Sequence, residues 1–155
     1  MGRLLGGPPS GPRLGGDGVR ITKEEKPELL LQNELISLGN RTSDGHIVTA
    51  VQLPWWTIVQ KIKSDPAFLG YFSKNPRAFE EFLAGLYREA GYDEVVLTPR
   101  SNDGGRDVIA IRRGFCSVKI LGQAKAYSAG HLVSHDDCRA MVGVLTGDSN
   151  ASSAA

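Results

Sequence analysis

The sequence predicts an α/β domain in which a helix, three strands and a second helix follow one another along the chain. Apolar residues recur at helical spacing in two segments, residues 76–90 and 135–145. Between these segments lie three short runs rich in β-branched and apolar residues, separated by turn signals. This order of elements is typical of a sheet that packs against helices.

The region before residue 54 has a different composition. Residues 1–20 are dense in glycine and proline and contain almost no aromatic or β-branched residues, which predicts a disordered tail. Residues 21–53 are predicted to be an N-terminal extension made of a short helix and a strand. Apolar residues favour the helix over residues 23–38, ended by Gly39, and β-branched residues favour the strand over residues 46–53.

The folded domain is predicted to span residues 54–155 and to open with two tryptophans. Trp55, Trp56, Val59 and Ile62 recur at helical spacing until Asp65, which precedes a proline. The two indole rings are suited either to stacking on unpaired bases or to packing in a core. Packing is the more common role of aromatic residues at this spacing, and we expect it for at least one of the two.

Two further helices are predicted from their ends as well as from their spacing. Pro76 fits the first turn of a helix that Gly91 ends. Its predicted apolar face consists of Phe79, Phe82, Leu83, Leu86 and Tyr87. Ser134 is a natural N-cap for the second helix, over residues 135–145, because two aspartates follow it in the first turn.

Three strands are predicted between these helices, over residues 94–98, 106–112 and 116–125. Arg113 and Gly114 supply a hairpin turn between the second strand and the third. The first two strands are joined by the glycine-rich turn Asn-Asp-Gly-Gly at residues 102–105, which allows a backbone to approach closely.

Composition excludes some functional classes. No apolar run approaches the length of about 20 residues that a membrane-spanning helix needs, and the N-terminus lacks the apolar segment of a secretory signal. A cytoplasmic protein is the expectation. Cys116 and Cys138 have no metal-site spacing and are predicted to be reduced, packed thiols. The formal net charge of +1 neither favours nor excludes a nucleic-acid partner.

Residues on the second and third strands form a candidate hydrolytic site. Gln123 and Lys125 are two apart on a strand, so their side chains share a face, and Asp107 opens the neighbouring strand of the hairpin. Hydrolysis of a phosphodiester needs a cation at the phosphate, a positioned water and a group that stabilises it. Mg²⁺ prefers oxygen ligands, and Asp107 can supply a carboxylate.

Several charged residues around this site have a less specific interpretation as well. Glu80, on the preceding helix, could reach a metal directly or through water, and Glu81 is the weaker candidate because its direction differs by about 100°. The less specific interpretation of both is an ordinary exposed carboxylate. Arg100 and Arg106 flank the glycine-rich turn and are the best candidates for contacts with DNA phosphates. A solvated, salt-bridged face is the alternative for these arginines.

The segment FEEFLAGLYREAGYDEVVLTPRSNDGGRDVIAIRR, followed by QAKAY, resembles the catalytic domain of Mrr-like restriction endonucleases. The resemblance covers roughly residues 54–151 and implies the restriction-endonuclease-like αβββαβ core with a central mixed sheet. It also implies that Glu80 matches the auxiliary acid and Asp107 the metal-binding aspartate. Gln123 and Lys125 match the last pair of the motif, in which the Mrr group characteristically has glutamine. The resemblance therefore implies that the metal ion is held by Asp107, the side-chain carbonyl of Gln123 and the backbone carbonyl of Ala124.

The implied activity is Mg²⁺-dependent hydrolysis of double-stranded DNA, of the restriction or defence type. Resembling domains continue past the second helix into another strand and helix, so the last strand and helix are expected to be missing here. The alternative function is therefore a non-catalytic DNA-binding or interaction remnant of such a nuclease. Cleavage of both strands requires two active sites, which leads us to expect a homodimer on DNA.

Overall fold

The computed structural model describes residues 26–101 and 104–155. The predicted tail and the turn residues Asn102 and Asp103 lie outside the described residues. Within the described part, six strands form one sheet in sequence order: β1 (Ile36–Arg41), β2 (His46–Val51), β3 (Glu94–Leu97), β4 (Val108–Arg112), β5 (Val118–Gly122) and β6 (Ser153–Ala154). The α-helices of this part are α1 (Pro27–Leu30), α2 (Leu53–Ser64), α3 (Pro76–Glu89) and α4 (His135–Gly147). No helix among these residues has the length and apolar character needed to cross a membrane.

The predicted first helix is wrong over most of its length. Of its described residues, 26–38, only the single turn of α1 is helical, and the chain then enters β1 at Ile36. Leu35 and Ile36 are buried, and β1 pairs antiparallel with β2 over registers such as Ile36↔Val51. Hairpin pairing with the next strand, β2, therefore overrides the local helical spacing.

The predicted strand at residues 46–53 is confirmed as β2. It pairs with β3 through His46↔Leu97 and Ile47↔Val96. The two strands that precede α2 are therefore part of the same sheet as β3, β4 and β5.

The helix that contains the two tryptophans is confirmed as α2. Trp55 is 2% exposed and its indole Nε1 donates a hydrogen bond to the carbonyl of Phe82 at 3.0 Å, whereas Trp56 is 44% exposed. The expectation that at least one of the pair packs in the core is confirmed. A 3-10 helix at Pro66–Lys74 follows, which the sequence analysis did not predict.

The αβββα order predicted for the central segment is confirmed as α3, β3, β4, β5 and α4. Asn75 caps α3 by accepting a hydrogen bond from the backbone N–H of Ala78, and Ser134 caps α4 as predicted. The third strand was predicted too long, because β5 ends at Gly122. Gln123 and Lys125 therefore lie just beyond the end of the strand.

The expectation that the last strand is missing is wrong. After α4 the chain returns beside β5 and forms β6, a strand of two residues that pairs parallel with β5 through Ile120↔Ser153 and Leu121↔Ala154. The sheet is therefore mixed, and the order αβββαβ is present. The main chain of Ala155 extends this pairing, because its carbonyl accepts from the Gln123 N–H at 2.9 Å. Among the described residues no helix follows β6.

The two faces of the sheet are packed very differently. The face that α3 covers forms a large hydrophobic core together with side chains from α1, α2, α3 and the 3-10 helix. Its buried members include Leu30, Trp55, Ile58, Phe72, Phe82 and Ala84. The opposite face, which α4 covers, has a buried cluster of Val96, Ile109 and Leu121. No residue of α4 itself is buried.

The two cysteines were predicted to be packed, and this prediction is wrong. Cys116 and Cys138 are both free thiols and both are exposed. Cys116 lies in the turn between β4 and β5, and Cys138 lies on α4, the helix without buried residues.

Candidate functional site

The register of β4 and β5 brings Asp107 and Gln123 together. Val108 pairs with Gly122 as the last pair of this ladder, and the Asp107 N–H continues it by donating to the Gly122 carbonyl at 2.8 Å. Asp107, just before β4, and Gln123, just after β5, therefore lie opposite each other. Both are on the sheet face that α4 covers. The Asp107 carboxylate accepts a hydrogen bond from the backbone N–H of Ala124 at 2.6 Å. Asp107, Gln123 and Ala124, the three residues proposed as sources of metal ligands, are thus neighbours in the structure.

The Gln123 side chain has an unusual environment. Its carbonyl oxygen Oε1 is buried and has no hydrogen-bond partner among the described residues. A buried acceptor without a donor costs about 1–3 kcal/mol, which is why such groups are rare and call for an explanation. A cation is a suitable partner for a carbonyl oxygen beside a carboxylate, so this donor set fits a hard divalent metal ion.

Two glycines and one threonine position Asp107. Gly104 and Gly105 have φ values of +63° and +76°, a conformation that favours glycine and turns the chain into β4. Thr98, at the end of β3, is 1% exposed. Its hydroxyl donates to the carbonyls of Arg106 and Asp107 at 2.6 and 3.1 Å, and its N–H donates to the Asp107 carbonyl at 3.0 Å. The sequence analysis missed Thr98, and the only local signal is a β-branched hydroxyl residue at a strand end before a proline.

Lys125 lies in an ion pair with α4. Its Nζ is 3.2 Å from Oδ1 of Asp137, and the side chains of the two residues are 29% and 18% exposed. The second oxygen of Asp137, Oδ2, accepts three hydrogen bonds: from the backbone N–H and the hydroxyl of Ser134 and from the phenol of Tyr127. These contacts, with that of the Ser134 backbone as the largest cause, hold the pKa of the Asp137 carboxyl well below its ordinary value. The sequence analysis assigned Asp137 to the first turn of a helix and did not foresee its contact with Lys125.

Glu80 contacts an arginine on its own helix. Nη1 of Arg77 lies 2.6 Å from Oε2 of Glu80 and also donates to the Thr98 carbonyl at 3.0 Å. Because Thr98 is bonded to Asp107, Arg77 links the carboxylate of α3 to the strand end that carries the aspartate. Its neighbour Glu81 lies on the β1 side of the helix, where burial raises the pKa of its carboxyl in spite of the nearby Arg77.

The two arginines proposed for phosphate contacts differ in their surroundings. Arg100 is exposed. Arg106 lies 3.7 Å from Asp44 in the turn between β1 and β2, and 3.4 Å from Asp148 at the end of α4. A DNA phosphate at Arg106 would have to compete with these carboxylates.

A cavity of about 450 Å³ opens beside the site, between α3, α4 and the end of the sheet. Its walls are mostly apolar, with the polar exceptions Gln123, Lys125 and Asp137. In the part of the chain that the structure describes, no group of three or more His, Cys, Asp or Glu side chains is arranged to hold a metal ion. A metal site at Asp107 would therefore depend on amide and backbone oxygens in addition to one carboxylate.

Comparison with protein families agrees with this geometry. The model of the Mrr catalytic domain, described as restriction endonuclease, matches residues 73–154. The match runs from the end of the 3-10 helix to β6 and includes every residue of the candidate site. Comparisons with curated proteins and with solved structures give no match. A match over more than half of the chain, together with the αβββαβ sheet, shows that the chain belongs to the restriction endonuclease family with an Mrr-type catalytic domain.

Proposed function

We propose that this protein is a Mg²⁺-dependent endonuclease that hydrolyses phosphodiester bonds in double-stranded DNA. Membership of the restriction endonuclease family supports nuclease activity on DNA, and enzymes of this family usually use a divalent metal ion. The observation that carries the finer proposal is the buried side-chain carbonyl oxygen of Gln123, the residue opposite Asp107, which has no hydrogen-bond partner within the described part of the chain. Residues that bind no cation would have little reason to retain this arrangement.

The Asp107 carboxylate, the Gln123 side-chain carbonyl and the Ala124 backbone carbonyl would hold the metal ion. When bound, Mg²⁺ adds positive charge at the scissile phosphate and makes a nearby water molecule more acidic. One ligand is an amide where a second carboxylate could stand, so less negative charge opposes the approach of the DNA phosphate.

Lys125 and Glu80 would act on the phosphate and the attacking water. An ammonium group has three N–H donors, and the contact with Asp137 uses one of them. The remaining donors of Lys125 can bind a phosphate oxygen or stabilise the nucleophile. Glu80, which Arg77 fixes beside Thr98, is proposed to orient the water as the auxiliary acid.

Contacts with the rest of the DNA are proposed for Arg100 and Arg106. Arg100 is the stronger candidate because it is exposed, whereas Arg106 is paired with Asp44 and Asp148. A homodimer on DNA would bring two active sites to the two strands. Sizing the protein with and without a DNA duplex in Ca²⁺ tests this, and a complex of one chain per duplex would contradict it.

A plasmid-nicking assay tests the proposed activity. The wild-type protein is incubated with supercoiled plasmid and Mg²⁺, and the variants Asp107→Asn and Gln123→Met are compared with it. Asp107→Asn removes the negative charge of one proposed ligand, and Gln123→Met removes the carbonyl oxygen of another. Both changes leave the side-chain size nearly the same, so we expect the nicking rate to fall by about 10²–10³-fold. Excess EDTA should abolish nicking by the wild type.

The matched control is Asp136→Asn, which replaces an aspartate whose side chain is 90% exposed on α4. It should nick at the wild-type rate, and circular dichroism should show that all variants are folded. Nicking that survives both Asp107→Asn and Gln123→Met would overturn the assigned site. Binding of DNA by the wild type without nicking would favour the alternative, a non-catalytic DNA-binding remnant.

A further inference from the structure

Asp137 makes more contacts than a helix cap requires. In the capping box of α4 it has only to accept the backbone N–H of Ser134, while the Ser134 hydroxyl accepts from the Asp137 N–H. Oδ2 also receives the Ser134 hydroxyl and the Tyr127 phenol, at 2.8 and 3.0 Å. With Oδ2 held by three donors, the orientation of the carboxylate is fixed and Oδ1 is directed at Lys125.

Lys125 and Tyr127 approach this carboxylate from the same segment of chain. They are two residues apart, and both reach across from the segment after β5 to the first turn of α4. Through these two contacts, the side chain of Asp137 connects the segment after β5 to the first turn of α4. A free lysine side chain has many rotamers, and confining it costs up to about 2 kcal/mol of entropy. An ion pair near the surface contributes little stability to offset this entropic cost. This indicates a role of the Lys125–Asp137 contact other than stabilising the fold.

The cavity beside the site indicates what this role is. Gln123, Lys125 and Asp137 all line it, so the ion pair joins two residues of the same cavity wall that includes the proposed metal ligand Gln123. An aspartate placed outside the cavity would instead draw the lysine away from the site. The contacts of Asp137 therefore restrict Lys125 to a position from which a phosphate entering at Gln123 can be reached.

We propose that Asp137, oriented by Ser134 and Tyr127, is a positioning residue that holds the Lys125 ammonium group at the nuclease site. This inference rests on the proposed function, since it assumes that Lys125 acts on the phosphodiester. The carboxylate remains ionised over the working pH range, because its pKa is held well below the ordinary value. The carboxylate of Asp137 bonds to Ser134, Tyr127 and Lys125, and in this proposal it acts on the reaction through Lys125.

The first test separates kcat from KM in the plasmid-nicking reaction. Asp137→Asn keeps the shape of the side chain but removes its charge, and we expect kcat to fall by about 10–100-fold while KM for DNA changes by less than about twofold. Tyr127→Phe, which leaves the capping box intact, should lower kcat by about threefold. In a Lys125→Met background, Asp137→Asn should cause no further loss, because the residue through which it acts is gone.

Two controls distinguish positioning from a general loss of structure. Asp136→Asn makes the same change at the neighbouring exposed aspartate and should leave kcat unchanged. Ser134→Ala weakens the same helix cap but keeps the charged partner of Lys125, so its loss of kcat should not exceed about threefold. If Asp137→Asn keeps the wild-type kcat, or if Ser134→Ala is as damaging as Asp137→Asn, the positioning role is overturned.

The second test does not depend on catalysis. Amine labelling followed by peptide mass spectrometry measures the reactivity of Lys125 against the exposed Lys63 as an internal reference. We expect Asp137→Asn to accelerate labelling of Lys125 severalfold and Asp136→Asn to leave it unchanged. Unchanged labelling in Asp137→Asn would overturn the proposed contact, whether or not the wild type cleaves DNA. Accelerated labelling in a protein that does not nick DNA would support the contact and place the failure with the nuclease activity.

Discussion

The α3 face and the α4 face of the same sheet differ in how much core they carry. On the α3 face, Phe82 and Ala84 of the helix are buried against Val95, Leu97 and strands β2 and β4. On the α4 face, Val144 is only partly buried against the cluster of Val96, Ile109 and Leu121. Burial of apolar area is the main source of folding free energy, so the α3 face carries most of the stability.

The candidate site uses both faces in different ways. Thr98 and Asp107 are anchored in the sheet, and Arg77 links them to α3. Asp137, by contrast, belongs to the helix without buried residues. Segments with few buried apolar contacts open most readily. Asp107 and Gln123 lie on the α4 face, so we expect the weakly packed side of the sheet to open and admit a large substrate, while the α3 side stays closed.

The largest expected effect is on the well-packed face. Phe72 is 1% exposed and its ring lies 5.0 Å from that of Phe79 and 5.3 Å from that of Phe82. Phe72→Ala should lower the free energy of unfolding by about 3–5 kcal/mol, because it leaves a cavity in a core that cannot collapse freely. Urea denaturation followed by tryptophan fluorescence measures the change.

An identical truncation on each face provides the control. Val48 is 1% exposed in the α3-side core, whereas Val144 is partly buried on α4. Val48→Ala should cost about 2 kcal/mol and Val144→Ala about 1 kcal/mol or less. Equal costs for the two valines would contradict the difference between the faces.

The next largest expected effect on stability is at glycines of α3 and α4. A Cβ on Gly85 of α3 would lie 2.8 Å from Cδ1 of the buried Trp55, whereas one on Gly143 of α4 would have no atom within 4 Å. Gly85→Ala should therefore destabilise the protein by about 1–3 kcal/mol through overpacking. Gly143→Ala should stabilise it by about 0.5–1 kcal/mol, because alanine favours the helix and meets no neighbour.

Thermal unfolding of both variants measures this contrast. A destabilising Gly143→Ala would mean that α4 is packed more closely than the structure shows. A neutral Gly85→Ala would mean that Trp55 can move, and with it the hydrogen bond from its indole to Phe82.

Acid should weaken the α4 face selectively. The pKa of Asp137 is lowered chiefly by the backbone N–H of Ser134, and the pKa of Asp148 is lowered chiefly by a hydrogen bond from Lys119. A carboxyl with a lowered folded pKa stabilises the protein above its unfolded pKa, about 3.9 for aspartate, and the contribution is lost as pH falls through the folded value. Denaturation at a series of pH values should show a decline below about pH 4 that is shallower in Asp148→Asn.

The same slope in Asp148→Asn and in the wild type would show that this carboxyl does not supply the acid sensitivity.

The elements that could be predicted from the sequence are those whose signals are local. The helix at Pro76–Glu89 and the helix capped by Ser134 each combine apolar spacing with a terminal residue, and both were located correctly. β1 was mistaken for helix because Ile36 and Leu38 continue the helical spacing of the preceding leucines, while the reason for a strand lies in hairpin pairing with β2. β6 has no β-branched residue, and its pairing with β5 depends on a partner about 30 residues earlier in the chain.

The candidate site shows the same contrast between features with a local sequence signal and features that depend on the whole fold. The register of a hairpin places Asp107 opposite Gln123, and this could be inferred from the order of strands and turn. The contacts of Thr98, Arg77 and Asp137 could not, since they join strand ends and helices whose packing is set by the whole fold. Their residue types are common at exposed positions, so nothing in the local sequence marks them.

The smallest expected effect concerns Glu81, on the α3 face. Burial raises the pKa of its carboxyl, and the nearby Arg77 only partly opposes this. With a raised folded pKa, its favourable contribution is present below the unfolded value of about 4.3 and is lost as pH rises through the folded value, the opposite sign to Asp137. Glu81→Gln should therefore raise the free energy of unfolding at pH 7 by less than about 1 kcal/mol and leave it unchanged near pH 3. Glu89→Gln, at an exposed position of the same helix, is the control, and a gain at pH 7 in both variants would attribute the effect to helix charge and not to burial.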